Sequence, residues 1–130
     1  MTEKLSSKKG FYVGDICYVL NEDIYYNFWG KKKNFTNGIF EVNGFSFAVG
    51  STAHGDGVYY DTDCHEYPVD AGVIGLVPLE LVSKKEGSGA VFELWGEAEF
   101  NCEDGVFDIF LPNGYRVHIN TRYEGDENDI

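Results

Sequence analysis

The 130-residue chain has the length of one domain, and at 43 % apolar and 16 % aromatic content it carries enough core-forming residues to exclude global disorder. Its formal net charge of −12 disfavours direct contact with nucleic acid or an anionic membrane and favours basic protein surfaces or cations. No stretch approaches the roughly 20 consecutive apolar residues of a membrane-spanning helix.

Met1–Gly10 is polar and lysine-bearing, has no apolar run suited to a signal peptide, and is expected to be a flexible lead-in to a single β-rich domain over residues 11–121. Asn21–Trp29 is the one helical pattern, expected as a short α-helix near residues 21–30. Asn21 suits the N-cap, Glu22 and Asp23 suit the positive end of the helix dipole, and Ile24, Tyr25, Phe28 and Trp29 share a side. Gly30 is expected to end it, with Lys31, Lys32 and Lys33 beside the last carbonyls.

Gly38–Val49 reads as a hairpin about a two-residue Asn43-Gly44 turn, which pairs Val42 with Phe45 and Phe40 with Phe47. Its other face, Glu41, Ser46 and Ala48, is expected to meet water. Ala71–Val82 is the most apolar stretch. Pro78 limits it to a strand ending near Val77, followed by a short turn or an edge strand.

Glu97–Leu111 forms a second hairpin. An Asp104-Gly105 turn places Phe100 against Ile109 and Cys102 against Phe107, keeping apolar residues together. A three-residue Pro112-Asn113-Gly114 loop then aligns Ile109 with Val117 and Phe107 with Ile119, and it sets Asp108 across from His118. Ala90–Trp95 is expected to precede this meander as a neighbouring strand. Residues 122–130 lack core-forming side chains and are expected to be a flexible acidic tail. The fold class is therefore mainly β: a single-domain antiparallel sheet, as a partly open barrel or sandwich, with one short helix.

Chemistry concentrates in Ser51–Gly72, which gathers His54, Asp56, Asp61, Asp63, Cys64, His65, Glu66 and Asp70. Asp and Gly in this density most simply make turns, with carboxylates capping backbone N–H groups. An alternative is a divalent-cation site built from Asp15, Asp56, Asp61 and Asp70, supporting a metal-binding domain or a small metal-dependent hydrolase, although the spacing is not that of an EF-hand loop. A zinc site from His54, Cys64 and His65 with Cys17 or Cys102 lacks the usual ligand spacing. Cys17 beside Asp15 is better read as a small core residue than a nucleophile, because a strongly negative surround raises thiol pKa values. No catalytic residue is assigned.

The three cysteines are odd in number and far apart, as expected in a reducing cytoplasm. Three segments, Tyr12-Val13-Gly14-Asp15-Ile16-Cys17-Tyr18, Thr52-Ala53-His54-Gly55-Asp56-Gly57 and Tyr67-Pro68-Val69-Asp70-Ala71-Gly72-Val73-Ile74-Gly75-Leu76-Val77-Pro78, resemble a loose group of small bacterial and bacteriophage proteins with no assigned activity. The resemblance runs from about Phe11 to Leu81. It implies a microbial or phage setting and no particular chemistry.

The acids have a further pattern. Fourteen fall between Asn34 and Tyr115 against only Lys84 and Lys85, while eight acids and eight bases cancel elsewhere. The expected function is therefore a non-enzymatic acidic binding protein, without a required cofactor, that inhibits a basic or nucleic-acid-handling partner. Anti-CRISPR and immunity proteins exemplify that mode. Glu93, Glu97, Glu99 and Asp108 are the expected binding face.

Overall fold

The computed structural model describes residues 1–84 and 89–122. Eleven strands follow in chain order among these residues: β1 (Thr2–Ser7), β2 (Phe11–Gly14), β3 (Gly38–Val42), β4 (Phe45–Ser51), β5 (Gly57–Tyr60), β6 (Glu66–Val69), β7 (Val73–Pro78), β8 (Ala90–Phe92), β9 (Gly96–Glu103), β10 (Val106–Phe110) and β11 (Arg116–Asn120). They form a four-stranded sheet in the order β1-β9-β10-β11, a five-stranded sheet in the order β3-β4-β7-β2-β8, and a β5-β6 hairpin. Among the described residues every pairing is antiparallel, and no closed barrel forms.

Local turn chemistry accounts for both hairpins. Asn43 and Gly44 take φ of 54° and 83°, and Asp104 and Gly105 take 51° and 80°, as two-residue type I′ turns require. The resulting registers pair Val42 with Phe45 and Phe40 with Phe47, and Phe100 with Ile109 and Cys102 with Phe107. Across the Pro112–Gly114 loop, Ile109 meets Val117, Phe107 meets Ile119 and Asp108 meets His118.

Two apolar clusters hold the layers together. Leu5, Ala98, Phe100, Phe107, Ile109, Val117 and Ile119 of the four-stranded sheet pack against Phe11, Val13, Ala48, Ile74 and Leu76 of the five-stranded sheet. On the far side of the five-stranded sheet, Tyr12, Phe47, Val49, Val73 and Val77 meet Ile16, Leu20, Ile24 and Trp29. This central sheet is thus covered on both faces, and Ala48 is buried against the other sheet rather than facing water. The unbroken apolar run in β7 has the same cause: alternate residues serve different cores. Pro78 ends β7 opposite Phe11, and a 3₁₀ turn, Leu79–Leu81, follows.

Three local expectations are corrected. Thr2–Ser7 is an ordered edge strand rather than a flexible lead-in, pairing along its length with Gly96–Asn101 of β9. Leu5 enters the core, and Ser7 Oγ donates to Glu80 Oε1 (2.6 Å) while accepting the Lys9 and Gly10 N–H groups. Ala90–Phe92 belongs to the five-stranded sheet, beside β2; Gly96, at φ 135°, lies where the chain crosses over to begin β9.

The third correction concerns Asp23–Lys32, which is a π-helix rather than an α-helix, with Lys33 N–H reaching Phe28 O. Ile24 and Trp29, its most buried large side chains, would lie about 140° apart at 3.6 residues per turn. Wider winding brings them onto one side. Asn21 Oδ1 accepts the Ile24 N–H at 2.9 Å, as the N-cap expectation requires. The helix continues through Gly30, and Lys31 and Lys32 occupy its last turn. Among the described residues no helix is long and apolar enough to cross a membrane. The expected tail lies outside the described residues beyond Arg122.

Candidate functional site

The outward face of the four-stranded sheet carries three of the four residues expected to bind a partner. Asp108 is bound within its own sheet. Arg116 Nη2 and Nε lie 2.6 and 2.8 Å from Asp108 Oδ1, and His118 Nδ1 lies 2.9 Å from the same oxygen. Partial burial raises this carboxyl, but the hydrogen bonds from His118 and Arg116 outweigh that effect and hold it below the usual carboxylate range.

Asn101 extends the network sideways. It donates to Glu99 Oε2 (3.0 Å) and to the Asp108 carbonyl (3.1 Å), and its own Oδ1 accepts from Thr2 Oγ1 (2.6 Å). Lys4 sits register-opposite Glu99. The separation of charge along the chain is therefore not kept in space, because β1 and β11 carry bases into the acidic meander. Glu99 is half-buried, whereas Glu93 and Glu97 are exposed.

The crossover between the sheets places Trp95 beside these two acids. Trp95 is 73 % exposed, far more than any other large apolar side chain among the described residues. Glu93, Leu94 and Trp95 line a cleft of about 270 Å³ with Pro112 and Asn113. Nearby, Phe92 and Tyr115 pack with ring centroids 5.1 Å apart, and Tyr115 keeps 42 % exposure. Sequence reasoning missed Trp95 because its segment was assigned to a strand; its signal was an aromatic between two acids just before a glycine.

The Asp-rich segment follows turn chemistry. Asp61 Oδ1 accepts the Asp63 and His65 N–H groups, both at 2.9 Å, and Oδ2 accepts from Tyr67 OH at 2.7 Å. Burial, and then that bond, push the Tyr67 phenol upward. Asp15 is completely buried. Its Oδ1 accepts Cys17 N–H (3.0 Å), and its Oδ2 accepts Asp70 N–H (2.7 Å) and Ala71 N–H (2.6 Å). The carboxylate thus clamps the end of β2 to the turn between β6 and β7.

Of Asp15, Asp56, Asp61 and Asp70, the structure brings together Asp15 and Asp70. Among the described residues no group of three or more His, Cys, Asp or Glu side chains is arranged to hold a metal ion. His54 Nε2 lies 2.9 Å from the Arg122 carbonyl oxygen, and His65 packs against the Tyr67 ring. Burial, followed by the charge of Asp15, pushes the Cys17 thiol up to about 12. A thiol held protonated at neutral pH is a poor nucleophile.

Comparison with protein-family models, curated proteins and solved structures finds no match.

Proposed function

We propose that this chain is a non-catalytic binding protein that docks through an anionic, tryptophan-bearing edge onto a basic surface of a nucleic-acid-handling protein and so inhibits it. A bacteriophage anti-defence protein of the anti-CRISPR type, or an immunity-like inhibitor of a basic nuclease, acts in this way. The observation that carries the reading is Trp95, 73 % exposed and sharing a cleft with the exposed Glu93, with the exposed Glu97 two residues further along the chain. Tryptophan at a solvent-facing cleft is characteristic of interface hot spots, where it buries a large rigid surface. The flanking charges select a cationic counterpart and accelerate encounter.

Asp108 is left outside the proposed working set because Arg116 and His118 already pair with it. The working set is Trp95, Glu93 and Glu97, with Glu99 behind them.

Capture on the immobilised chain from a bacterial lysate at low salt tests the reading, with Trp95→Ala and Glu93→Lys/Glu97→Lys as parallel baits. The expected result is a basic nucleic-acid-binding protein held by wild type, released by moderate salt, lost from both variants, and blocked from its nucleic acid when the wild-type chain is added. Equal retention by all three baits would overturn it.

A further inference from the structure

A second recess of about 280 Å³ lies at the start of the π-helix, where the helix faces the turn between β6 and β7. Tyr25 and Tyr26 form an aromatic wall, their rings meeting edge to face at 4.8 Å. Glu22 and Asp70 contribute carboxylates, Cys17 lies on the inner side, and Lys84 lines the same space. Asp70 is held in place: its Oδ2 accepts a hydrogen bond from Tyr18 OH at 2.8 Å. Burial pushes up the Tyr25 phenol and the Cys17 thiol, and both stay protonated. Among the described residues, the acidic and basic side chains lining the recess are Glu22, Asp70 and Lys84, two carboxylates to one ammonium.

This combination selects among ligand classes. An anion meets net repulsion. At about 280 Å³ the recess is slightly smaller than the roughly 300–1,000 Å³ of ordinary ligand pockets, a size that suits a small head group. An alkylammonium group can contact tyrosine faces while its N–H donors reach carboxylates. We propose that this recess binds an alkylammonium head group, carried either by a small primary amine or by a lysine side chain of another protein. The site is separate from the Trp95 edge, and the inference does not depend on the function proposed there.

The test is an NMR titration of the tyrosine ring resonances at constant ionic strength, using n-butylammonium chloride, blocked lysine (N-acetyl-lysine amide) and the uncharged n-butanol. Saturable shifts confined to Tyr25 and Tyr26 are expected with a cation and not with n-butanol. A response to n-butylammonium alone assigns the site to free amines; a response to blocked lysine assigns it to protein side chains. Glu22→Gln, at an exposed position, should weaken binding about tenfold, the effect of losing one charge-assisted hydrogen bond. Asp70→Asn should do the same. Absence of saturable shifts with both cations, equal shifts with n-butanol, or unchanged affinity in folded Glu22→Gln would overturn the proposal.

Discussion

Asp15 shows how one buried carboxylate organises two distant segments. Its oxygens accept three backbone N–H groups, from Cys17, Asp70 and Ala71, with no exposed surface of its own. Asp15→Ala strands those donors in the interior, and the expected loss is about 2–4 kcal/mol. The check is a lower urea midpoint at an unchanged m value; a midpoint within error of wild type would show that water replaces the clamp. Asp108 yields a pH prediction. Its carboxyl is depressed in the folded protein, so it contributes stability above the unfolded carboxylate pKa and loses that contribution as pH falls through the lower folded value. In Asp108→Asn, stability should fall less steeply with acidification below about pH 4, as measured by thermal melting across that range. Parallel curves for the two proteins would contradict the assignment.

At the scale of elements, local chemistry was legible and long-range pairing was not. Asn43-Gly44 and Asp104-Gly105 dictate their own turn geometry, and the alternation of Phe100, Cys102, Phe107 and Ile109 leaves one register that keeps apolar residues together. The Asp108–His118 pair followed from the three-residue Pro112-Asn113-Gly114 loop, which sets the β10–β11 register. Nothing within Thr2–Ser7 announces β9 as its partner, because the pairing joins segments far apart in sequence and only Leu5 and Ser7 of the strand are buried. Ala90–Phe92 was misplaced for a related reason: three residues are too few for periodicity to indicate which sheet receives them. The π winding of Asp23–Lys32 was hidden because its aromatic pattern also fits an α-helix. The recess at the start of the π-helix draws on Cys17, Glu22, Tyr25, Tyr26, Asp70 and Lys84, and only the fold joins them. One element-scale test concerns how closely layers approach in the second core. A Cβ on Gly75 would stand 2.5 Å from Ile16 Cγ2 and 2.6 Å from the Ala48 carbonyl oxygen. Gly75→Ala should therefore destabilise by about 1–3 kcal/mol through overpacking, read as a lower melting temperature; a wild-type value would mean that the layers part freely there.

At the scale of the whole molecule, the question is how a charge of −12 is distributed once the chain folds. Folding pairs β1 with β9 and β11 with β10, so that Lys4 stands across from Glu99 and Arg116 takes Asp108. What remains near the sheet crossover is smaller than the acidic window in the sequence: an exposed indole at Trp95, with exposed carboxylates two residues before it at Glu93 and two residues after it at Glu97. High net charge alone would confer solubility; the indole beside it is what solubility does not explain. The most direct measurement is the association rate constant with the captured partner as a function of ionic strength, for wild type and for Glu93→Lys/Glu97→Lys. Complementary fields predict that the wild-type rate falls steeply as salt rises and that the variant associates about tenfold or more slowly at low salt, the two converging at high salt. Rates that are independent of salt and identical for the two proteins would contradict an electrostatically guided binding edge.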